Sequence, residues 1–416
     1  AIPKAFRTIG IGARLCPPRA ICQIFVLLVT AWALPAWGQN LEGWQEFSPG
    51  AAYRNDRVAD VPWSVHIGRI DRSKGDIEIH SVHARGKALG LATLSAIVNY
   101  ERSQLGSPLV GVNGDFYQMR GRPFEGDPRG LQIMNGELLS GPSEGISFWV
   151  DAGGQPHLGN VTSRFQMKWP GGKQTSLGVN DQRRAECVLY TPAAGGFTGT
   201  SSNGVELILE LSGDGPWLPL KTGASYHAKV QSVIESGNSR IGPWQMVLSV
   251  PANLKRTIPK VEAGTVLEFS TATAPDLRGV TSAISGGPIL VRDGKWQELP
   301  KAASGSVAYG ERTKYERHPR SAIGWNDNAF YVVEVDGRQP GLSVGMTLEE
   351  LGKYMIKLGC TEVMNLDGGG SAMFWANGKI QSSPCEGHER EIANALIVVR
   401  KEKQKAEAGG AKLASP

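Results

Sequence analysis

Apolar and polar positions change their spacing several times along this 416-residue chain, and the clearest run of changes lies near its end. Phe330–Val335 (Phe-Tyr-Val-Val-Glu-Val) is a β-branched and aromatic stretch that predicts a buried strand. Thr347–Leu358 then places Leu348, Leu351, Tyr354, Met355 and Leu358 at helical spacing. Thr347 and Glu350 have the form of a capping box, and Gly359 stands where the helix should stop. Glu362–Leu366 predicts a second strand. A strand–helix–strand run of this kind predicts two parallel strands joined by a right-handed crossover.

Earlier stretches carry shorter versions of the same signals. Val61–Ile70 and Gly75–Val82 predict two strands, and Leu91–Leu105 predicts a helix stopped by Gly106-Ser107-Pro108. A short apolar strand from Leu109 runs into Asn113-Gly114-Asp115-Phe116-Tyr117. Hairpins are expected at Asn135-Gly136 and Gly153-Gly154. From about 160 to 280 the chain reads as strand-like pieces broken by Gly, Pro and Ser, either an insertion or a β-rich lobe. Ile392–Val399 predicts a last buried strand. The fold class expected is therefore α+β: mixed β-sheets, a β-α-β unit near the C-terminus, few helices and a β-rich middle.

Composition changes the picture in three places. Fifty-three glycines, against an average share of about 7 %, suit a chain rich in turns and strands. The net charge of +5 is spread out, without the clustered Lys/Arg and interleaved aromatics of a nucleic-acid surface, so no nucleic-acid partner is expected. The first forty residues have the form of an export leader: Lys4, Arg7, Arg14 and Arg19, then an apolar run over 21–34, then Ala36-Trp37-Gly38. Cleavage is expected after Gly38, leaving a periplasmic or secreted protein without a membrane span. A domain over 39–400 and a disordered tail over 401–416 are expected to remain. Cys187, Cys360 and Cys385 stay in the mature chain, and a Cys360–Cys385 disulfide around the aspartate-glycine loop is one pairing the spacing allows.

Candidate chemistry concentrates where apolar strands run into aspartate and glycine. Asp336 (in Val335-Asp336-Gly337-Arg338) and Asp367 (in Asn365-Leu366-Asp367-Gly368-Gly369-Gly370-Ser371) are expected at one sheet edge. Each could instead simply start a turn. Arg320 and Arg390 could pair with the aspartates in a structural network. Ser371 lacks the strand–Ser–helix setting of a hydrolase nucleophile. The seven histidines show no zinc-type spacing, although an oxygen-rich rim could hold Ca²⁺ or Mg²⁺.

Taken in order, the blocks Gly111–Tyr117, Gly286-Gly287-Pro288, Arg320–Gly324, Val335–Arg338, Gly341-Leu342-Ser343, Asn365–Ser371 and Arg390–Ala395 resemble the phosphodiester glycosidase family. The animal member of that family, the lysosomal "uncovering enzyme", removes N-acetylglucosamine from phosphodiester-linked mannose. The resemblance implies hydrolysis of a sugar-1-phosphodiester, or a related glycosidic bond, in an envelope polysaccharide, wall polymer or glycolipid, with no cofactor required. It implies Asp336 and Asp367 as catalytic carboxylates, with nucleophile and base undivided between them. Arg320 and Arg390 would then hold phosphate, with Gly368, Gly369 and Gly370 as a nest of backbone donors and Ser371 beside them. Asn113 and Asn365 would hold sugar hydroxyls, with Asp115 nearby. A metal-dependent phosphodiesterase and a non-catalytic glycan-binding or polysaccharide-assembly protein are the alternatives.

Overall fold

A computed structural model describes residues 43–401 except 122, 144, 183–185 and 300–310. The expected leader at 1–38 and the tail beyond Lys401 lie outside the described residues. Strand outweighs helix, 43 % to 12 %, so the chain is strand-dominated rather than evenly mixed. Among the described residues no helix is long and apolar enough to cross a membrane.

Nine elements position the site. The strands are β1 (Trp63–Asp71), β2 (Ser107–Asn113), β3 (Arg320–Trp325), β4 (Ala329–Val335), β5 (Glu362–Asn365), β6 (Phe374–Ala376) and β7 (Asn394–Arg400). The helices are α1 (Leu94–Leu105) and α2 (Leu348–Lys357). An eight-stranded sheet contains β1, β4, β3 and β5 in that spatial order, and a five-stranded sheet contains β6, β2 and β7. The two sheets stack. Phe330, Val332 and Met364 meet Val110, Val112, Phe374 and Leu396 in one core between them. α2 covers the outer face of the large sheet, setting Leu348, Leu351 and Met355 on Tyr331, Val333 and Val335. α1 covers the outer face of the smaller sheet, with Leu94, Ile97 and Val98 against Ala395, Ile397 and Val399. The result is a helix–sheet–sheet–helix sandwich.

The predicted helix forms with its expected start. Thr347 accepts from the Glu350 amide, and the Glu350 carboxylate accepts from the Thr347 amide. Its flanking strands differ from expectation. β4 and β5 both pair antiparallel with β3, which lies between them, so they run the same way without being neighbours. The adjacent parallel pair of a simple β-α-β unit is therefore not what this sheet contains. The reason is that Arg320–Trp325 is itself wholly buried and takes the central place. Parallel pairing is confined to Gln174–Val179 with Cys187–Tyr190 among the described pairings, and the sheets are otherwise antiparallel.

The middle of the chain closes into a seven-stranded barrel, from Gln166–Lys168 to Val266–Ser270. Strict alternation builds it: in Ser225–Ile234, Tyr226, Ala228 and Val230 face a core shared with Trp169, Leu207 and Phe269. Cys187 is a free thiol buried in that core. Cys360 and Cys385 are also free, so the disulfide anticipated from spacing does not form. Alternation along β4 explains this. Cys360 packs with Tyr331 on the α2 side, whereas Cys385 acts electrostatically on Glu334, which points to the opposite face.

Gly352 shows how tightly α2 is seated. A Cβ there would lie 2.5 Å from two ring carbons of Trp296. Alanine normally gains about 1 kcal/mol over glycine inside a helix, but overpacking typically costs about 1–3 kcal/mol. Gly352→Ala is expected to lower the urea midpoint despite the better helix former; an unchanged or raised midpoint would show that α2 can move off the sheet.

Candidate active site

The stacked sheets meet at a corner where β2, β4 and β5 end and β3 begins. Asn113, the last residue of β2, joins them: its Nδ2 donates to the Asp367 carbonyl at 2.7 Å, and its Oδ1 accepts from Ser321 Oγ at 2.6 Å and from the Met373 amide at 3.2 Å. The Asp367 amide donates to the Gly114 carbonyl at 2.9 Å. Beside this corner opens a cleft of about 280 Å³. Asn365, Leu366, Asp367, Gly368 and Gly369 form one wall, and Phe116, Tyr117 and Met119 another. Arg129, Arg320, Arg338 and Arg390 surround it, with Thr313 and His318.

Asp367 is the one carboxylate among the described lining residues. Burial pushes its carboxyl up to about 6; the Ser371 hydroxyl, the Gly368 amide and the charges of Arg390 and Arg129 pull the other way. Asp115 sits behind the Phe116–Tyr117 wall, close enough to feel that charge. Burial pushes its carboxyl up to about 8, and Asp367 adds to the rise although the Phe116 amide donates to its Oδ1 at 2.8 Å. At neutral pH the pair divides into an ionised Asp367 and a protonated Asp115. Asp115 Oδ2 is buried with no hydrogen-bond partner, as is Asn365 Oδ1 on the cleft wall. Asn365 spends its Nδ2 on the Gly287 and Leu366 carbonyls, at 2.9 and 2.7 Å.

The triple glycine offers fewer free donors than the expected nest. The Gly368 amide is used by Asp367 Oδ1 and the Gly369 amide by the Pro319 carbonyl, so neither is free for an anion. What the glycines supply is room. A Cβ on Gly369 would lie 3.1 Å from Arg338 Nη2, and one on Gly370 would collide with the Arg390 guanidinium. Two arginines can therefore lie directly against this loop. The Glu386 carboxylate grips Arg390 through Nε at 3.1 Å and through Nη2.

The remaining expected site residues divide. Arg320 lines the cleft, but its Nε donates to the Met346 carbonyl at 2.9 Å and its Nη2 to the Thr313 and Glu316 carbonyls at 2.6 and 2.9 Å. Burial, with Arg338 close by, lowers its pKa to about 10. It braces the wall more than it faces a ligand. Ser371 is buried, with its hydroxyl near enough to Asp367 and Tyr117 to favour their ionised forms. Asn113 is committed to the corner rather than to a sugar.

Asp336 does not line the cleft. Its carboxylate is 1 % exposed and turned between the sheets, accepting from Ser64 Oγ at 2.7 Å and the Ser383 amide at 2.6 Å, with His66 Nε2 3.0 Å away. Asp336 and Asp367 thus leave the same edge of the large sheet, but only Asp367 lines the cleft, with Asp115 as its carboxyl neighbour. Arg129, Arg338 and His318 are cleft residues that the sequence reading left without a role. Arg338 closes the Val335–Arg338 block, two residues after Asp336. It holds a left-handed backbone (φ 59°), uncommon for a side-chain-bearing residue, with its Nη2 3.3 Å from His318 Nδ1.

Comparison with known proteins adds the following. Residues 225–399 match the family described as phosphodiester glycosidase. That match begins inside the barrel and leaves out the Gly111–Tyr117 block, although the fold brings Asn113 and Asp115 to the matched loop. An uncharacterised SPbeta prophage-derived protein of Bacillus subtilis, YomE, is 30 % identical over 122 residues, 29 % of this chain and 18 % of its own length. A hypothetical protein from Synechocystis shares the fold at TM-score 0.69 and 18 % identity, over 86 % of this chain and 63 % of that one. A Burkholderia pseudomallei K96243 protein does so at 0.60 and 22 %, over 81 % and 74 %. The chain thus spans under a fifth of the curated relative and under two thirds of the Synechocystis structure.

Gly370→Ala tests what the glycines do. The nearest atoms the added methyl meets are the side-chain ends of Arg390 and Glu386 rather than backbone, so displacement of that ion pair is expected instead of unfolding. Calorimetric titration with inorganic phosphate should show affinity falling about tenfold, the worth of one charge-assisted hydrogen bond, while the melting temperature stays close to wild type. Unchanged affinity would remove Arg390 from the anion site.

Proposed function

From a chain that resembles the phosphodiester glycosidase family over residues 225–399, we propose a hydrolase that cleaves the bond between a sugar's anomeric carbon and a phosphodiester oxygen. One observation carries this reading: among the described residues that line the cleft, four are arginines and Asp367 is the one carboxylate. An ordinary glycosidase flanks its bond with two carboxyl groups, one of which protonates the leaving oxygen. A phosphate monoester leaves as a stabilised anion and needs no such proton. Arg129, Arg338 and Arg390 suit its oxygens through charge-assisted hydrogen bonds. Asp367 then serves the oxocarbenium-like centre, and Asn365 on the cleft wall is the candidate for a sugar hydroxyl. In the reaction the C1–O bond breaks and its electron pair leaves with the phosphate monoester, while oxygen from water bonds C1 and the water's proton is released to solvent.

The substrate we propose is a sugar-1-phosphodiester of an envelope polysaccharide, wall polymer or glycolipid. Its setting would be the periplasm or the exterior, after loss of residues 1–38 from a domain over 39–400. Support for export comes from the leader pattern and from the Burkholderia relative, which is described as exported. We assign Asp336 a supporting rather than a catalytic place, because its carboxylate is enclosed by Ser64, His66 and Ser383.

A panel of sugar-1-phosphodiesters and matching nitrophenyl glycosides tests this. Phosphodiesters should turn over more than about a hundredfold faster than glycosides lacking phosphate, which forgo several charge-assisted bonds. Asp367→Asn should cut turnover at least about a thousandfold. In ¹⁸O-water the label should enter the sugar; label in the phosphate would mean P–O cleavage and sink the glycosidase reading. Wild type that binds sugar phosphates without turnover would make this a glycan-binding protein.

The carboxylate pair sets a pH dependence. Asp367 must be ionised, so kcat/KM should rise as pH climbs through about 6. Above about 8 Asp115 ionises and places a second negative charge beside the anion site, so kcat/KM on phosphodiesters should fall. In Asp115→Asn the upper limb should vanish while the lower one stays in place, since Asp115 is already neutral where Asp367 titrates. A flat profile between pH 5 and 9 would contradict these assignments.

A further inference from the structure

Between the two stacked sheets, away from the cleft, lies a polar cluster that the proposed chemistry does not use. Strand register assembles it. His66 on β1 is directly opposite Glu334 on β4, and Asp336 lies two residues beyond Glu334 on the same face. One nitrogen or oxygen from each of His66, Glu334 and Asp336 falls within 4.8 Å of the others, and all three residues are buried. Aromatic rings wall the cluster, with His66 stacked against Tyr53 and Phe374.

Two features are at odds with a purely structural hydrogen-bond network. Glu334 is 1 % exposed, and its Oε2 has no hydrogen-bond partner. Glu334 and Asp336 also bring two carboxyl groups into an apolar core where, among the described residues, no Lys or Arg pairs with either and the His66 ring alone lies beside Asp336, at 3.0 Å. Burying charge without compensation costs several kcal/mol per ion. A neighbouring carboxyl without a partner makes the arrangement worse, and a dication between them would satisfy both.

We propose that His66, Glu334 and Asp336 bind a structural divalent transition ion of the zinc class. One imidazole nitrogen and two carboxylate oxygens match the donors that zinc takes and are poor in number for calcium, which prefers six to eight oxygens. Hydrogen bonds behind the donors hold them in place: His66 Nδ1 lies 2.7 Å from the Tyr53 hydroxyl, which fixes the ring and leaves Nε2 facing Asp336. Ser64 Oγ and the Ser383 amide orient the Asp336 carboxylate. Cys385 is near enough to act on Glu334. The ion ties β1 to β4 at the point where β4 runs on into Gly337 and Arg338, and so steadies an arginine of the cleft without entering it.

The test uses the full chain, stripped with a chelator, reloaded with zinc chloride and passed through gel filtration. Elemental analysis should find one zinc per chain, and the melting temperature should rise by several degrees on reloading. Both effects should be lost in Glu334→Gln and in Asp336→Asn, while His157→Ala, which removes the surface His157–Asp151 pair, should keep them. Should those variants fail to fold, the wild type still decides: loaded with Co²⁺, it should show visible ligand-field absorption that zinc abolishes. Zinc content no higher in wild type than in Glu334→Gln, or a wild type that retains neither zinc nor cobalt, would overturn the proposal.

Discussion

The side chain of Asn113 is the joint on which the active corner depends. An amide can donate and accept at once, and here it does so across three segments: the Asp367 carbonyl, the Ser321 hydroxyl and the Met373 amide. The large sheet supplies Ser321, the small sheet supplies Asn113 itself, and the loop between β5 and β6 supplies the rest. An aspartate in its place would lose the donor, and a leucine would strand three buried polar groups at a cost of about 1–3 kcal/mol each. The loop carrying Asp367 can be glycine-rich, and still hold one conformation, because this joint and the Gly114 carbonyl anchor it.

Electrostatics follow from that placement. Asp367 is held in a buried wall, which raises its carboxyl, and is compensated by Arg129 and Arg390, which keep it ionisable near neutrality. The glycines after it carry no side chains, so Arg338 and Arg390 come to the loop surface. Burial, close cations and missing Cβ atoms thus form one arrangement. Removing any of the three changes the charge that the cleft presents to an anion.

Much of the scaffold was legible along the chain. β4, α2 and α1 appear close to where periodicity and caps put them, because strands and caps are set by neighbours a few residues apart. The order of strands was not legible. That β3 separates β4 from β5 depends on pairing among segments with equally apolar sequences. The barrel, too, was visible only as pieces, since closure is a property of seven strands together.

The choice of carboxylates marks the boundary most clearly. The chain itself announced Asp-Gly turns at the ends of apolar strands, and Asp367 is where that signal pointed. Whether Asp336 faced the cleft or the core could not be read, because every residue of Ala329–Val335 is buried and no polar alternation reveals which face is which. Register settled it, placing Glu334 and Asp336 with His66 inside and leaving Arg338 to reach the cleft. Asp115, more than two hundred residues before Asp367, becomes its neighbour only because the two sheets stack. Local signals decided which residues end strands; the packing of sheet on sheet decided which of them share a site.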